Sequence, residues 1–210
     1  MILNIDTLYL RADNAQLQRL QYIAEYRNTY SYIQTFKNPK TNTTFDFSYT
    51  VQLFEIDNFT FKVKQFKIGS YRIELYGLHQ YHKDNALKTN NVLDKLLYPL
   101  KHCYITRIDL CNDKKAKPQN KSLRTKKQVN YKGTIYHNLY SRNYFSSYTY
   151  DKQKKNNLHS KLYRTEYSFK GILSANRYKF QLRHLKKLIR RCEIFIYKLP
   201  SRAAKINKIS

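Results

Sequence analysis

The segment Ile105-Thr106-Arg107-Ile108-Asp109-Leu110-Cys111-Asn112-Asp113 constrains the fold more than any other stretch of the chain. Read as an extended strand, it sets Arg107, Asp109, Cys111 and Asp113 on one face and Ile108 and Leu110 on the other. Such a strand belongs to a sheet with an apolar side packed on a core and a charged side left for other work. The segment also puts acids where there are few. Residues 101–210 carry only Asp109, Asp113, Asp151, Glu166 and Glu193 against 28 Lys and Arg, a net charge of +23. Residues 1–100 hold 12 basic and 9 acidic residues, net +3. An AT-rich coding sequence supplies Lys, Asn, Tyr and Ile by itself. It does not explain this asymmetry, because Asp codons tolerate AT bias as well. A total of +26 concentrated in one half points to a polyanion, above all nucleic acid.

The 210 residues suffice for one domain with a substantial core. The expectation is a single domain over 1–198, its basic half at 101–198, and a flexible basic tail at 199–210. Cys103, Cys111 and Cys192 show neither metal spacing nor a disulfide framework, which favours a reducing cytoplasm. No apolar run approaches 18 residues, and the N-terminus lacks a signal-peptide pattern, so no membrane contact is expected.

Residues 3–11 read as a strand, followed by a helix capped by Asp13 or Asn14 and running to about Tyr30. Residues 45–77 alternate in short runs, broken at Asp57-Asn58 and Gly69-Ser70, and predict an antiparallel meander. Asn91 to Leu100 reads as a helix. Residues 114–132 read as a basic loop, 133–150 as Tyr-rich strand, 151–160 as a short polar helix or loop, and Leu162 to Phe169 as strand. Residues 178–198 predict an amphipathic helix. Its apolar face carries Leu182, Leu185, Leu188, Ile189, Cys192 and Ile196, and its polar side Arg183, Lys186, Lys187, Arg190 and Arg191. No convincing internal repeat is visible; Ile5-Asp6 and Ile108-Asp109 are only a weak echo of each other. The fold class is α+β, an antiparallel sheet with flanking helices.

The chemistry concentrates on the strands at 105–113 and 162–169. In the second, Arg164 and Glu166 share a face. If the two strands are neighbours, Asp109 and Glu166 can converge as hard oxygen ligands for Mg²⁺ or Mn²⁺. The competing expectation is a pair of cross-strand salt bridges, Arg107 with Glu166 and Arg164 with Asp109. Tyr150 lies between these strands in sequence and is followed by Asp151 and Lys152. A phenol has a pKa of about 10, so a nucleophilic tyrosine needs help to lose its proton. Lys152 could steady the phenolate or the charge of the transition state. With 21 tyrosines in the chain, a Tyr beside a Lys is also commonplace. Phosphate contacts are expected from the basic loop and helix, among them Lys126, Lys127, Arg183, Lys187 and Arg190, and base stacking from Tyr140, Tyr144, Phe145 and Tyr148, with the alternative that alternate members of this aromatic set belong to the core.

The order Thr106-Arg107-Ile108-Asp109-Leu110-x-x-Asp113, Gly133-Thr134-Ile135-Tyr136, Tyr150-Asp151-Lys152 and Arg164-Thr165-Glu166 resembles the replication initiation factors of rolling-circle plasmids and filamentous phages. Asn4-Ile5-Asp6-Thr7-Leu8 resembles the start of many members. The resemblance implies a fold related to the HUH endonucleases and nicking of origin DNA, single-stranded or hairpin. On it, Tyr150 is the nucleophile that forms a 5′-phosphotyrosine, Lys152 assists, Asp109, Glu166 and Asp113 serve a divalent metal, and Arg107 and Arg164 grip phosphate or order the carboxylates. Host helicase and polymerase would be further partners, and a homodimer a further state. The chain departs from the pattern in lacking a His-hydrophobe-His motif. His79-Gln80-Tyr81-His82 comes nearest, and Tyr148 and Tyr144 stand as alternative nucleophiles. The alternative function is a non-catalytic single-strand or hairpin DNA-binding protein on the same scaffold.

Overall fold

The computed structural model describes residues 3–37, 41–67, 69–81, 87–89, 92–117, 128–137, 145–170 and 180–198. Lys126, Lys127, Tyr140, Tyr144, His82 and the tail from 199 lie outside them. Strand β1 (Asn4–Ala12) leads into helix α1 (Asn14–Gln21). Asp13 caps this helix reciprocally: its carboxylate accepts from the Gln16 N–H, and its own N–H donates to the Gln16 side chain, both at 2.9 Å. The helix ends much earlier than its apolar spacing predicts. The N–H groups of Ile23 and Ala24 both turn back to the Leu20 carbonyl, and β2 (Glu25–Lys37) begins at once. Tyr26, Thr29, Tyr30, Tyr32, Ile33 and Thr35 favour the pleated conformation, and cross-strand pairing overrides the helical spacing.

Strand β3 (Thr44–Ile56) is one continuous element across the two runs the alternation shows. Asp57 and Asn58, both at positive φ, turn it into β4 (Phe59–Lys67), and Gly69 at φ +73° turns that into β5 (Ser70–Tyr76). A small hairpin of β6 (His79–Tyr81) and β7 (Leu87–Thr89) precedes helix α2 (Val92–Leu97). The strand anticipated at 105–113 is β8 (Tyr104–Lys114). The second half continues with β9 (Gln128–Tyr131), β10 (Thr134–His137), β11 (Phe145–Asp151), α3 (Lys152–Asn156) and β12 (Tyr163–Phe169). It closes with a 3₁₀ turn (Leu182–His184) and α4 (Leu185–Tyr197).

Ten strands form one antiparallel sheet in the order β2-β3-β4-β5-β1-β8-β12-β11-β10-β9. The order is symmetric about the β1–β8 seam. In each half a central strand comes first, the chain then moves to the outer edge, and the meander returns to pair with that strand's other side. Tyr71-Arg72-x-Glu74 on β5 and Tyr163-Arg164-x-Glu166 on β12 occupy matching places beside the seam. The repeat that the sequence hardly shows is therefore present in the topology.

One face of the sheet carries the core. Leu8, Leu10, Ile73, Leu75, Ile108 and Leu110 are fully buried there. Leu185, Leu188, Cys192 and Ile196 of α4 pack against them, as the amphipathic spacing predicts. Phe145, Phe169 and Phe195 pack against one another in tilted and edge-to-face pairs at 4.9–5.7 Å between ring centroids. Phe145 is thus a core residue and not a base-stacking one. Phe169→Ala is expected to cost about 3–5 kcal/mol, since a fully buried aromatic leaves a cavity. Chemical denaturation would show this as a fall in midpoint at unchanged slope. No helix among the described residues is long and apolar enough to cross a membrane.

Candidate active site

The opposite face of the sheet is polar. Pairing fixes who meets whom: β12 faces β8 with Arg164 opposite Asp113, Glu166 opposite Cys111 and Ser168 opposite Asp109. On its other side, Glu166 lies opposite Tyr148 and Arg164 opposite Tyr150 of β11. Paired residues share a face, so these eight side chains form a compact block.

Within the block, Glu166 takes two phenols. The Tyr150 hydroxyl donates to Oε1 at 2.6 Å, and the Tyr148 hydroxyl donates to Oε2. The two rings stack with centroids 6.1 Å apart, and Tyr136 continues the row at 5.9 Å from Tyr148. Burial and the neighbouring Glu166 charge push both phenols well above their ordinary pKa. Each resting hydroxyl therefore keeps its proton and points it at a carboxylate able to accept it.

The other two carboxylates have separate partners. Arg107 grips Asp109 with two nitrogens, at 2.9 and 2.5 Å, and Ser168 adds a third bond at 2.5 Å. Arg164 is completely buried. It forks onto Asp113 with two bonds of 2.7 Å, donates to Asp6 at 2.5 Å and to the His79 carbonyl at 2.8 Å. The salt bridges are thus Arg107–Asp109 and Arg164–Asp113–Asp6. They are not the expected Arg107–Glu166 and Arg164–Asp109 pairs, because the antiparallel register offsets those residues. Burial alone would raise the Asp113 carboxyl; the Arg164 fork and His79 overturn that and hold it below the usual carboxylate range.

The imidazole of His79, 3.3 Å from Asp113, completes a cluster with Cys111. One donor atom from each of His79, Cys111 and Asp113 lies within 4.8 Å of the others, so the cluster could hold a divalent ion. The fit rests mainly on two of the three. Asp113 already accepts two bonds from Arg164 and further ones from His79 and Tyr81, so an ion held between it and the His79 nitrogen would displace the last two. Burial pushes the Cys111 thiol up, so it stays protonated and is a weak donor. Mg²⁺ keeps much of its water and needs only one or two carboxylates, which suits a site of this kind. Asp109, Glu166 and Asp113 do not converge on one point.

Tyr148 and Tyr150 open into a cleft of about 470 Å³. Its other walls include Arg107, Lys155, Lys170, Tyr136 and Ser146, with no carboxylate among the lining residues. The cation over the Tyr150 ring is Lys155, its ammonium 4.4 Å from the centroid. Lys152 is buried and donates instead to Gln80 at 3.2 Å, its pKa lowered by burial and by Arg164. Arg183, Lys187 and Arg190 project from the outer side of the helix layer, across the sheet from this cleft. Sequence reasoning missed Asp6, Cys111, Ser168, Lys155 and Lys170 as members of the site. The matching Tyr-Arg-x-Glu strands could have flagged Glu166 and Arg164 as equivalents of Glu74 and Arg72. Nothing local marks Lys170.

No family model matches the chain, and no curated protein matches it. A solved structure to which it is similar is that of a rolling circle replication initiator protein from Geobacillus stearothermophilus. That likeness stands at 16% identity and a TM-score of 0.44, over 80% of this chain and 74% of the other.

Proposed function

We propose that this chain is a rolling-circle replication initiator that nicks and rejoins single-stranded or hairpin origin DNA through a tyrosine, with residues 1–198 acting as one nicking and DNA-binding domain. The observation that carries this reading is the Tyr150 hydroxyl, held 2.6 Å from the Glu166 carboxylate at the wall of a cleft lined by Arg107, Lys155 and Lys170. The order of motifs along the chain supports it as well.

A phosphodiester entering the cleft meets three cations and no opposing carboxylate on the walls. Tyr150 Oη attacks the phosphorus while its proton passes to Glu166. The bond from phosphorus to the 3′ oxygen breaks, and that oxygen leaves with the electron pair and takes a proton from solvent. The products are a 5′-phosphotyrosine and a free 3′-OH, and joining is the reverse. Arg107 and Lys155 stabilise the charge that gathers on the phosphoryl oxygens, the largest contribution such a site usually makes. Asp109 and Ser168 fix the Arg107 guanidinium for that role. A divalent ion, Mg²⁺ or Mn²⁺, would be held by His79 and Asp113 and would supply further charge neutralisation when bound.

A second reading has its own support. Arg107 is already paired with Asp109, and Arg164 with Asp6 and Asp113, as expected of a non-catalytic DNA-binding scaffold. One experiment separates the two. The protein is incubated with single-stranded origin DNA of its own replicon and Mn²⁺, then run on a denaturing protein gel. Under nicking, a DNA-shifted band forms and EDTA abolishes it. Tight, salt-sensitive binding without a covalent band would sink the enzyme reading and leave the binding protein.

A further inference from the structure

The symmetry of the sheet gives the cleft a counterpart in the other half. On β4 and β5, Lys62 faces Glu74 and Lys64 faces Arg72. On β11 and β12, Tyr148 faces Glu166 and Tyr150 faces Arg164. Position for position, Lys62 and Lys64 therefore stand where the two tyrosines stand. Glu74, like Glu166, is buried, but its oxygens are taken by Lys64 at 3.0 Å, Arg72 at 2.7 Å and Tyr76 at 2.9 Å. Two cations share that one carboxylate, which leaves this half-site a surplus of positive charge. Arg11, opposite Arg72 and exposed, adds to it.

The same face is rich in rings. Lys64 lies 5.4 Å over Tyr49, and Tyr49 meets the half-exposed Tyr32 at 5.3 Å. At the seam, Arg72 and Arg107 flank the Tyr9 ring at 5.4 and 4.9 Å. Arg107 is itself a wall of the cleft. Cations thus alternate with aromatic rings along this face from the tyrosine cleft into the first half, interrupted where Arg72 and Lys64 meet through Glu74. That alternation suits an unpaired strand, whose phosphates meet the cations and whose bases stack on the rings.

We infer that the N-terminal half of the polar face is a second, non-cutting subsite for single-stranded DNA, built from Arg11, Lys62, Lys64 and Arg72 with Tyr32 and Tyr49. It rests on the nucleic-acid reading of the cleft and extends it. A strand anchored at Tyr150 would be held there at a distance of five strand spacings, about 24 Å. With lysine at the two positions that Tyr148 and Tyr150 hold, the half-site grips the strand but presents no hydroxyl there; its nearest hydroxyl, that of Tyr76 on β5, is shared between Glu74 and Tyr9.

The test uses the full chain and fluorescent dT30 without added metal, read by anisotropy across a salt series. Arg11→Gln with Lys62→Gln is expected to weaken binding about tenfold and to flatten the salt slope by about 1.4, or 0.7 for each lost phosphate contact. Tyr32→Ala should weaken it by about fivefold through lost stacking. Arg11→Lys with Lys62→Arg should restore the wild-type slope. All of these side chains are at least partly exposed, and a thermal melt confirms folding. If neither the charge variant nor Tyr32→Ala alters dT30 binding, the subsite is overturned, even where the covalent band forms. Loss confined to a 30-base-pair duplex overturns it too. If the wild type forms no covalent band but the variants still weaken dT30 binding, the nicking reading fails and the subsite stands.

Discussion

Tyr150→Phe eliminates the covalent protein–DNA band, a loss of at least about a thousandfold in adduct rate, equivalent to about 4 kcal/mol of barrier. Phenylalanine keeps the buried ring, the stack on Tyr148 and the Lys155 contact. It removes only the attacking oxygen, so binding of the same DNA stays close to wild type. Tyr148→Phe is expected to slow adduct formation without ending it, because Glu166 then serves one hydroxyl instead of two. Glu166→Gln leaves a hydrogen-bonding side chain of the same shape but no charge to receive the proton. Its adduct rate should fall by about 10²–10⁴-fold, the usual worth of a positioned base. The measurement is single-turnover adduct formation on denaturing gels. A band that survives Tyr150→Phe and vanishes in Tyr148→Phe would transfer the nucleophile one position along the same face. A band surviving both substitutions would sink the assignment to this pair.

Arg164→Met is expected to destabilise the fold by about 3–5 kcal/mol, because it strands two buried carboxylates without their partner. For a chain of this size that corresponds to a fall in melting temperature of about 6–20 °C. Arg164 has no exposed surface, and its fork onto Asp113, its bond to Asp6 and its bond to the His79 carbonyl join β12, β8, β1 and β6. Arg164→Lys should fall between the two, since an ammonium keeps the charge and loses the fork. Combining Arg164→Met with Asp6→Asn and Asp113→Asn should recover part of the loss, because no uncompensated charge then remains buried. Thermal or urea unfolding checks the series. A melting temperature for Arg164→Met within a degree or two of wild type would show that the cluster contributes little.

The two expectations draw on one arrangement. Arg164 holds β12 in register against β8, and that register puts Glu166 under both tyrosines. A stability device and a reactive pair thus occupy alternate positions of the same strand. The buried ion cluster is tied to β6 through the His79 carbonyl, while the two tyrosines line the cleft beside its basic walls, Tyr150 with its ring buried.

Much of this was legible in the sequence, and the particular residues show why. Strand alternation is local. The pattern from Ile105 to Asp113 therefore fixed which face of β8 is charged, and the pattern from Leu162 to Phe169 did the same for β12. Helical spacing identified α4 and its buried stripe for the same reason. Locality also explains the failures. The apolar spacing after Asp13 continues past Gln21, yet pairing of β2 with β3 takes the chain at Glu25, and that gain lies outside the window where the spacing is read. Whether Phe145 stacks on bases or belongs to the core is decided by the contact with Phe195 of α4, which places it in the core.

What the sequence determined by itself was the two-faced sheet, the polar face that carries Arg107, Asp109, Arg164 and Glu166, and the excess of positive charge around it. What only the tertiary structure decided was the choice of partners on that face. Asp6 and Arg164 are 158 residues apart, and Tyr150 and Glu166 are brought together only by the β11–β12 register. A strand sets the direction of its side chains through its own backbone. Which oppositely charged group lies across from them depends on strand order and register, which the whole chain settles together.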